Sequence, residues 1–366
     1  MLEHLPLAAN RVVFFLLLAL AVAALTCRLL THVALRIGLA DRPGGRKQHE
    51  GTIPLTGGIG MFFGFTLAAL TSGLIAGPTL ALVVALSLLV VGGAADDMHD
   101  ITPRTKFMLQ LIAALLMTSW AGVYIATLGN LFGFGPVNLY NWGIPFSVIC
   151  ALGVMNAMNM LDGLDGAAGG TAFVAALWLA YAALVQGLWT QALLLLLLCA
   201  AIAGFLLWNI RLPPLRDQAR VFMGDAGSMM LGLALCWFCV DSTQGIGRSL
   251  PPIVCVWILA VPLLDMARVM FQRLRRRADV LDADREHLHH LLLARGIAPH
   301  TAALVLIGAS ALTGAIGVGA WRLGLPEPAL TYAFFAVLGF ILLSAYLNER
   351  RDLNEVGVGV EDRPER

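Results

Sequence analysis

The sequence contains few charged residues. Asp, Glu, Lys and Arg make up 13% of its 366 residues, whereas a soluble domain carries roughly 25%. Long apolar runs take their place, for example residues 12–30 and 192–208. Each run approaches the roughly 20 residues that a helix needs to cross a bilayer. We therefore expect an integral membrane protein. The net charge of +1 gives no reason to expect a nucleic-acid partner.

The sequence also lacks the motifs of several enzyme classes. Its six cysteines all lie in apolar stretches. Cys236 and Cys239 have the spacing of metal ligands, but no second pair completes a zinc site, so we interpret the cysteines as buried free thiols. There is no Walker A sequence and no visible internal repeat. A P-loop nucleotide hydrolase and a transporter built from repeats are both disfavoured.

Eleven apolar segments are long enough, or nearly so, to cross the hydrocarbon core. They lie near residues 12–31, 57–76, 78–95, 107–127, 144–160, 167–186, 189–208, 226–241, 250–271, 301–320 and 328–347. The fold class is therefore predicted to be an all-α polytopic integral membrane protein with about eleven transmembrane helices. We predict a single transmembrane catalytic domain over residues 1–347 and a short charged cytoplasmic tail over residues 348–366.

The basic residues predict the orientation of these segments. Of the 24 Lys and Arg residues, only Arg11, Arg248 and Arg322 fall on the side opposite the C-terminus. Because cytoplasmic loops carry the excess of Lys and Arg, the N-terminus is predicted to be periplasmic and the C-terminus cytoplasmic.

Acidic residues stand at the ends of several segments, on the predicted cytoplasmic side. Asp96 and Asp97 end the third segment, and because adjacent carboxylates repel each other, a cation is expected nearby. Either Mg²⁺ or the basic residues Arg104 and Lys106 of the next loop would supply that charge. Asp225 begins the eighth segment, where it would serve either as a helix N-cap or as a metal ligand beside a helix terminus that attracts phosphate.

A third acidic motif joins two segments through a very short connection. Asn159, Asp162 and Asp165 are spaced i, i+3, i+6, so they would share one face of a helix or of its last turn. The glycines that follow Asp162 and Asp165 permit tight turns and close approach by a ligand. Three such polar groups at a membrane surface favour a functional role over a purely structural turn.

Histidines cluster in the largest predicted cytoplasmic loop. His287, His289 and His290 lack the Cys or carboxylate partners of a zinc site, so they suit contacts with a phosphate or sugar better. A solvated loop without a ligand is the alternative. Asp265 and Arg268 lie one turn apart in the ninth segment and are predicted to pair with each other, outside the catalytic set.

These groups suit phosphoryl transfer, which needs positioning and charge screening more than a special nucleophile. Two anions in contact repel each other by roughly 4 kcal/mol per charge pair at an effective dielectric constant near 20. A divalent cation together with Lys106 and arginine side chains would offset this repulsion.

The motifs occur in one order over nearly the whole chain, from about residue 30 to residue 345. They are Asp41-Arg-Pro43 with Arg46-Lys-Gln-His49, Asp96-Asp97 with Lys106, the stretch from Asn156 to Gly166, the stretch from Phe222 to Ser228, and the loop that ends His287-Leu-His-His290. This order and spacing, with an eleven-segment layout, resembles the polyprenyl-phosphate N-acetylhexosamine-1-phosphate transferases of glycosyltransferase family 4. Residues 251–265 and 284–290 look most like its WecA-type branch.

The resemblance implies that N-acetylglucosamine-1-phosphate passes from UDP-GlcNAc to undecaprenyl phosphate. The products would be undecaprenyl-pyrophosphoryl-GlcNAc and UMP, and the cofactor Mg²⁺ or Mn²⁺. The protein would lie in the bacterial cytoplasmic (inner) membrane with its active site facing the cytoplasm. It would initiate the synthesis of O-antigen in lipopolysaccharide or of a related surface glycan. A homodimer is left open.

The resemblance also implies roles for individual residues. Asp225 and Asn159 would hold the metal, Asp96 and Asp97 would lie at the lipid phosphate, and Lys106 would contact the transferred phosphate. Asp162 and Asp165 would line the nucleotide pocket. His287, His289 and His290 would recognise the sugar-phosphate, and Arg46 and His49 would contribute to substrate binding.

Two other functions fit the sequence less well. The same chemistry with another UDP-N-acetylhexosamine (FucNAc, QuiNAc or MurNAc-pentapeptide) stays open. An ion-coupled transporter would place its carboxylates near the middle of the bilayer, whereas the acidic residues here cluster at one predicted face.

Overall fold

The computed structural model describes residues 9–41, 51–211, 218–245, 248–276 and 287–361, with the side chains of the last range described as far as residue 349. These residues are mostly helical. Their helices are α1 (Ala9–Leu29), α2 (Thr31–Ile37), α3 (Gly57–Thr71), α4 (Pro78–His99), α5 (Pro103–Leu115), α6 (Gly143–Leu161), α7 (Ala167–Val185), α8 (Trp189–Asn209), α9 (Gly224–Thr243), α10 (Pro252–Ile258), α11 (Ala260–Arg276), α12 (Leu288–Ala294), α13 (Pro299–Arg322) and α14 (Glu327–Glu361).

Eight helices in the described part of the chain are long and apolar enough to cross a membrane, namely α1, α4, α6, α7, α8, α9, α13 and α14. Helices α10 and α11 meet the same criterion together, but the chain bends by 79° between them. A helix suits this environment because it satisfies its backbone hydrogen bonds internally. The prediction of an all-α polytopic membrane protein is confirmed.

Ten of the eleven predicted segments coincide with one helix each, two of which are short, and the segment near 250–271 coincides with the bent pair α10 and α11. Helix α3 is apolar and has 15 residues. Helix α5 has 13 residues and continues into one π-helical turn over Leu116–Trp120. The described residues therefore contain eight spans, or nine with the bent pair, and the count of eleven stays a prediction.

Helix α9 lies at the centre of the bundle and packs against α3, α4, α6 and α7. Glycines allow the backbones to meet. A Cβ atom at Gly58 of α3 would overlap the backbone of Gly227, and a Cβ atom at Gly93 of α4 would overlap the backbone of Ala226. Small residues at helix contacts are the usual means of close packing in membranes. The first turn of α9 is thus held between α3 and α4.

A short two-stranded sheet braces the chain just before α9. Strand β1 (Ala40–Asp41) pairs in antiparallel orientation with β2 (Ile53–Pro54). The residues after β2 then bind the segment that leads into α9. Phe222 N donates to Pro54 O over 3.0 Å, Gly57 N donates to Phe222 O over 3.0 Å, and Gly58 N donates to Met223 O over 3.1 Å. These backbone bonds fix the chain immediately before Asp225.

The final helix extends beyond the predicted end of the last span. Helix α14 runs to Glu361, whereas the sequence places the start of the charged tail at residue 348. Within it, Glu349 binds Arg275 over 3.0 Å and Arg276 over 2.6 Å, both at the end of α11. These exposed ion pairs join the two helices at one end of the bundle.

We predict that Gly93→Ala will lower both thermal stability and activity, because the new methyl group would push α4 away from the first turn of α9. Overpacking of this kind costs about 1–3 kcal/mol. The matched control is Gly308→Ala on α13, where a Cβ atom meets nothing within 4 Å. Unfolding temperatures in detergent and transfer activity would be measured for both variants. Equal behaviour of the two would contradict the packing argument.

Candidate active site

Four helix ends meet at one end of the bundle and bring polar side chains together. Asp96 and Asp97 lie in the last turn of α4, and Lys106 lies in the first turn of α5. Asn159 lies near the end of α6, and Asp225 lies in the first turn of α9. The structure therefore brings together five of the residues that the sequence predicted for the site.

Lys106 connects the carboxylates of two helices. Its Nζ lies 3.1 Å from Asp96 Oδ2 and also contacts Asp225 Oδ2. Lysine therefore supplies the cation that the adjacent acidic residues were expected to need. Because the three side chains are only 11–26% exposed, water screens this contact less than it would on an open surface.

Asn159 binds the second oxygen of Asp225. Its Nδ2 lies 2.5 Å from Asp225 Oδ1 and 2.9 Å from Ser228 Oγ. Asp225 is therefore held from two sides, by an ammonium and by an amide. Both partners predicted to hold a metal, Asp225 and Asn159, are in contact with each other.

Asp97 caps helix α9 from a different helix. Its Oδ1 accepts from Asp225 N over 2.9 Å, and its Oδ2 accepts from Ala226 N over 3.4 Å. Carboxylates stabilise the positive end of a helix in this way. Gly224 has a φ of 69°, and a Cβ atom there would overlap the Asp97 carboxylate. The alternative interpretation of Asp225 as N-cap is wrong: α9 begins at Gly224, and Asp225 is inside its first turn.

The motif of Asn159, Asp162 and Asp165 divides into two parts because α6 ends at Leu161. Asp162 follows the last turn and remains near the cluster. Its pKa is raised well above the usual value, first because its carboxyl is withdrawn from water, and then because Asp225, Asp97 and Asp165 are negative neighbours. A raised pKa of this origin is common at functional sites.

Asp165 binds the segment that leads to α9. Its Oδ2 lies 2.6 Å from Arg211 Nε and accepts from Ala219 N over 3.1 Å. Asn209 supports the same region, since it accepts from Gly166 N over 2.7 Å and donates to Val221 O over 2.9 Å. The family resemblance implied a place for Asp165 in the nucleotide pocket, and in the structure its carboxylate contacts Arg211 and Ala219.

The histidine segment, residues 287–290, lies against α11 and the turn after α6. His287 Nδ1 is 3.1 Å from Asp265 Oδ2. His289 is buried, and a Cβ atom at Gly163 would overlap its ring. Burial, followed by the neighbouring His290 and His287, lowers the pKa of His289 to about 4, so this ring is neutral at neutral pH.

Asp265 makes a contact that the sequence analysis did not predict. The predicted pair with Arg268 is present, with Nη2 3.3 Å from Asp265 Oδ1. Asp265 nevertheless also binds His287, 22 residues further along the chain. The one available signal was an acidic residue inside an apolar segment, which is costly without a function. Arg46 and His49, predicted to bind substrate, lie outside the described residues.

The donors at the cluster suit a hard divalent cation. Asp96, Asp97, Asp162 and Asp225 offer carboxylate oxygens against the single ammonium of Lys106, and Mg²⁺ prefers such oxygens. Across the described ranges, no three His, Cys, Asp or Glu side chains form a ready ligand set. Mg²⁺ is usually bound by one or two carboxylates together with substrate phosphates, so the residues fit an ion that shares its ligands with substrate.

The bundle and this cluster define a multi-pass membrane protein with an acidic, lysine-containing site at the helix ends. The sequence model of glycosyl transferase family 4 matches residues 79–243. An undecaprenyl-phosphate alpha-N-acetylglucosaminyl 1-phosphate transferase of Yersinia pestis is 34% identical over 310 residues, which cover 85% of this chain and 84% of the relative.

Two further relatives carry the same name. The protein of Salmonella typhi is 34% identical and covers 79% of this chain and 78% of its own length. The protein of Pasteurella multocida (strain Pm70) is 34% identical and covers 88% of both chains. The chain belongs to glycosyl transferase family 4, which confirms the resemblance to polyprenyl-phosphate sugar-1-phosphate transferases. It is a multi-pass bacterial membrane enzyme.

We predict that Lys106→Gln will lower kcat by at least about 100-fold, a loss typical of removing a charged group at a reacting centre. Without the ammonium, Asp96 and Asp225 would repel each other and the site would lose its one described cation. Arg104→Gln is the matched control, because Arg104 lies on the same helix and is exposed. Initial rates of lipid-product formation would be compared at equal amounts of folded protein. Equal losses in both variants would refute a specific role for Lys106.

Proposed function

We propose that this protein transfers N-acetylglucosamine-1-phosphate from UDP-GlcNAc to undecaprenyl phosphate. An oxygen of the lipid phosphate attacks the phosphorus atom next to the sugar. One P–O bond forms, the P–O bond to UMP breaks, and the products are undecaprenyl-pyrophosphoryl-GlcNAc and UMP. The observation that supports this proposal is the convergence of Asp96, Asp97, Lys106, Asn159 and Asp225 at one end of the bundle. The names of the relatives support the choice of substrates.

Lys106 would move from its carboxylate partners to a phosphate oxygen when substrate binds. Its ammonium contacts both Asp96 and Asp225. A phosphate oxygen can replace one of these partners without removing the charge balance, and the ammonium would then stabilise the charge of the transferred group. This supports the contact predicted between Lys106 and the transferred phosphate.

Asp96 and Asp97 would have different roles. Both oxygens of Asp97 accept from the backbone of α9, so we assign it to positioning Asp225. Asp96 is bound to Lys106 and to Ile101 N over 3.0 Å, and we assign it to the side of the lipid phosphate. A phosphate monoester has a second pKa of roughly 6, so the lipid phosphate needs little help in losing its proton.

A divalent ion, Mg²⁺ or Mn²⁺, is part of this proposal. Asp225 and Asn159 would hold it together with substrate phosphates. When bound, it supplies charge neutralisation between the two phosphorylated substrates. Asp162, half-buried in the turn after α6, would lie on the nucleotide side of the site, with Asp165 fixing the wall beside it through Arg211.

The histidines would recognise the sugar-phosphate. His287 and His289 are stacked with their rings 5.8 Å apart and nearly parallel, and His290 lies 4.2 Å from His289. This short row of rings offers both hydrogen-bond donors and acceptors for hydroxyl and phosphate groups. Arg46 and His49, which lie outside the described residues, would add further contacts with substrate.

The proposed setting is the bacterial inner membrane with eleven crossings. The N-terminus would be periplasmic, and the site and the C-terminus would face the cytoplasm, because all but three of the 24 Lys and Arg residues fall on that side. The lipid product would initiate O-antigen or a related surface glycan. This orientation places the reaction where nucleotide sugars are made.

The first experiment identifies the product. Purified protein would be incubated with undecaprenyl phosphate and, in separate reactions, with the UDP forms of GlcNAc, FucNAc, QuiNAc and MurNAc-pentapeptide. The lipid products would be identified by mass spectrometry. We expect undecaprenyl-pyrophosphoryl-GlcNAc, only with Mg²⁺ or Mn²⁺, and none from Asp225→Ala. Product without added metal after chelation would contradict the metal proposal. A different sugar in the product would replace GlcNAc in this assignment.

The second experiment tests the orientation. Arg104→Cys lies at the proposed cytoplasmic surface, and Leu323→Cys lies in the exposed turn between α13 and α14, on the proposed periplasmic side. A membrane-impermeant maleimide should label Leu323→Cys in whole cells and Arg104→Cys only in inverted vesicles. The unsubstituted chain, whose six cysteines are buried or half-buried, provides the background. Labelling of both positions from one side would refute the proposed topology.

A further inference from the structure

Asp265 is a buried carboxylate that the reaction described above does not use. It lies on α11, and its side chain is only 2% exposed. Oδ2 lies 3.1 Å from His287 Nδ1, and Oδ1 accepts from Leu288 N over 2.8 Å. Arg268 Nη2 lies 3.3 Å from the same Oδ1. Three different groups therefore meet at one carboxylate, and two of them belong to the histidine segment.

The contact with His287 has a chemical consequence for the ring. A carboxylate accepts hydrogen bonds but does not donate them. The proton of a neutral His287 is therefore held on Nδ1, and Nε2 keeps its lone pair for another partner. If the ring is protonated, the same carboxylate balances its charge. In both states Asp265 fixes which nitrogen is free and how the ring is turned.

The histidine segment is held from its other side by the turn after α6. His289 lies directly against Gly163, where an added Cβ atom would overlap its ring. Gly163 is the neighbour of Asp162 in the chain. The rings of His287 and His289 are stacked within 2° of parallel. His287, which Asp265 orients, therefore stacks on the ring of His289, and His289 touches the wall of the proposed nucleotide site.

The geometry points to Asp265 as a positioning residue, which sets the protonated nitrogen and the orientation of His287 for its contact with the sugar diphosphate. This inference rests on the proposed function. It differs from a purely structural role, in which Asp265 would only balance Arg268 and bind the first N–H of α12. The two roles make different predictions for His287, because only a positioning residue acts through that ring.

A double-mutant cycle separates the two roles. The cycle contains wild type, Asp265→Asn, His287→Ala and the double variant, each assayed for kcat and for the KM of both substrates. In Asp265→Asn the amide can donate to Nδ1, which moves the ring proton to Nε2, as the corresponding change does in the serine-protease triad. Loss of such an orienting partner typically costs about 10- to 100-fold.

We expect Asp265→Asn to lower kcat/KM for the UDP-sugar by that factor, while the KM for undecaprenyl phosphate changes by less than about twofold. We expect the double variant to match His287→Ala within about threefold, because the ring through which Asp265 acts is gone. If the two single losses multiply in the double variant, or if the KM values of both substrates rise together, the positioning role is refuted.

Asp241→Asn serves as the matched control. Asp241 also pairs with an arginine, Arg248, over 3.5 Å, but at the opposite end of α9. Its loss should leave both KM values within about twofold of wild type. If Asp265→Asn does not yield a folded protein, Asp265→Glu, which keeps the carboxylate, takes its place in the cycle, and its smaller loss should likewise vanish beside His287→Ala.

The two proposals fail in different ways. Product formation by the wild type with the panel of UDP-sugars tests the proposed function alone. The cycle is run with the sugar that the wild type uses, so it tests Asp265 alone. If the wild type uses none, the same cycle is measured as the Kd for UDP-GlcNAc, and additive losses of affinity would again refute the positioning role.

Discussion

The ammonium of Lys106, shared by Asp96 and Asp225, is the contact on which the organisation of this site depends. The two carboxylates come from helices that are distant in sequence, and without a cation they would repel each other at the end of the bundle. The other contacts described at the site hold Asp225 in position for this interaction. Asp97 holds the backbone of Asp225, and Asn159 holds its second oxygen. The negative charge that remains suits a cation that arrives with phosphorylated substrate.

Several acidic residues near the site are bound to other groups of the protein. Asp97 caps α9, Asp165 holds Arg211 and Ala219, and Asp265 holds the start of α12. A carboxylate buried at a membrane surface is stable only with such donors. The carboxylate chemistry that suits a metal or phosphate site therefore also holds helix starts and neighbouring chain segments in place here.

The sequence predicted the long apolar helices and named several of the residues that meet at one end of the bundle. Apolar length predicted the long helices, because a membrane leaves few other solutions for the backbone, but it did not predict the short helices α2 and α12. Local spacing predicted that Asn159 lies beside Asp162, and the motif order brought Asp96, Lys106 and Asp225 into one set. Spacing could not predict that α6 ends at Leu161 and turns Asp165 toward Arg211. Nor could it join Asp265 to His287, because the two residues lie 22 positions apart and no local spacing rule connects them.

The glycine contacts of α9 have a consequence for how this enzyme can be altered. At Gly58, Gly93 and Gly227, main chain faces main chain with only hydrogen between them. Replacement of any of these glycines should therefore cost stability, which makes the helix contacts beside Asp225 poor positions for redesign. Changes in donor preference should therefore be sought among the three histidines, whose proposed role is to recognise the sugar-phosphate. An engineer seeking a new sugar specificity should diversify there and leave the helix contacts untouched.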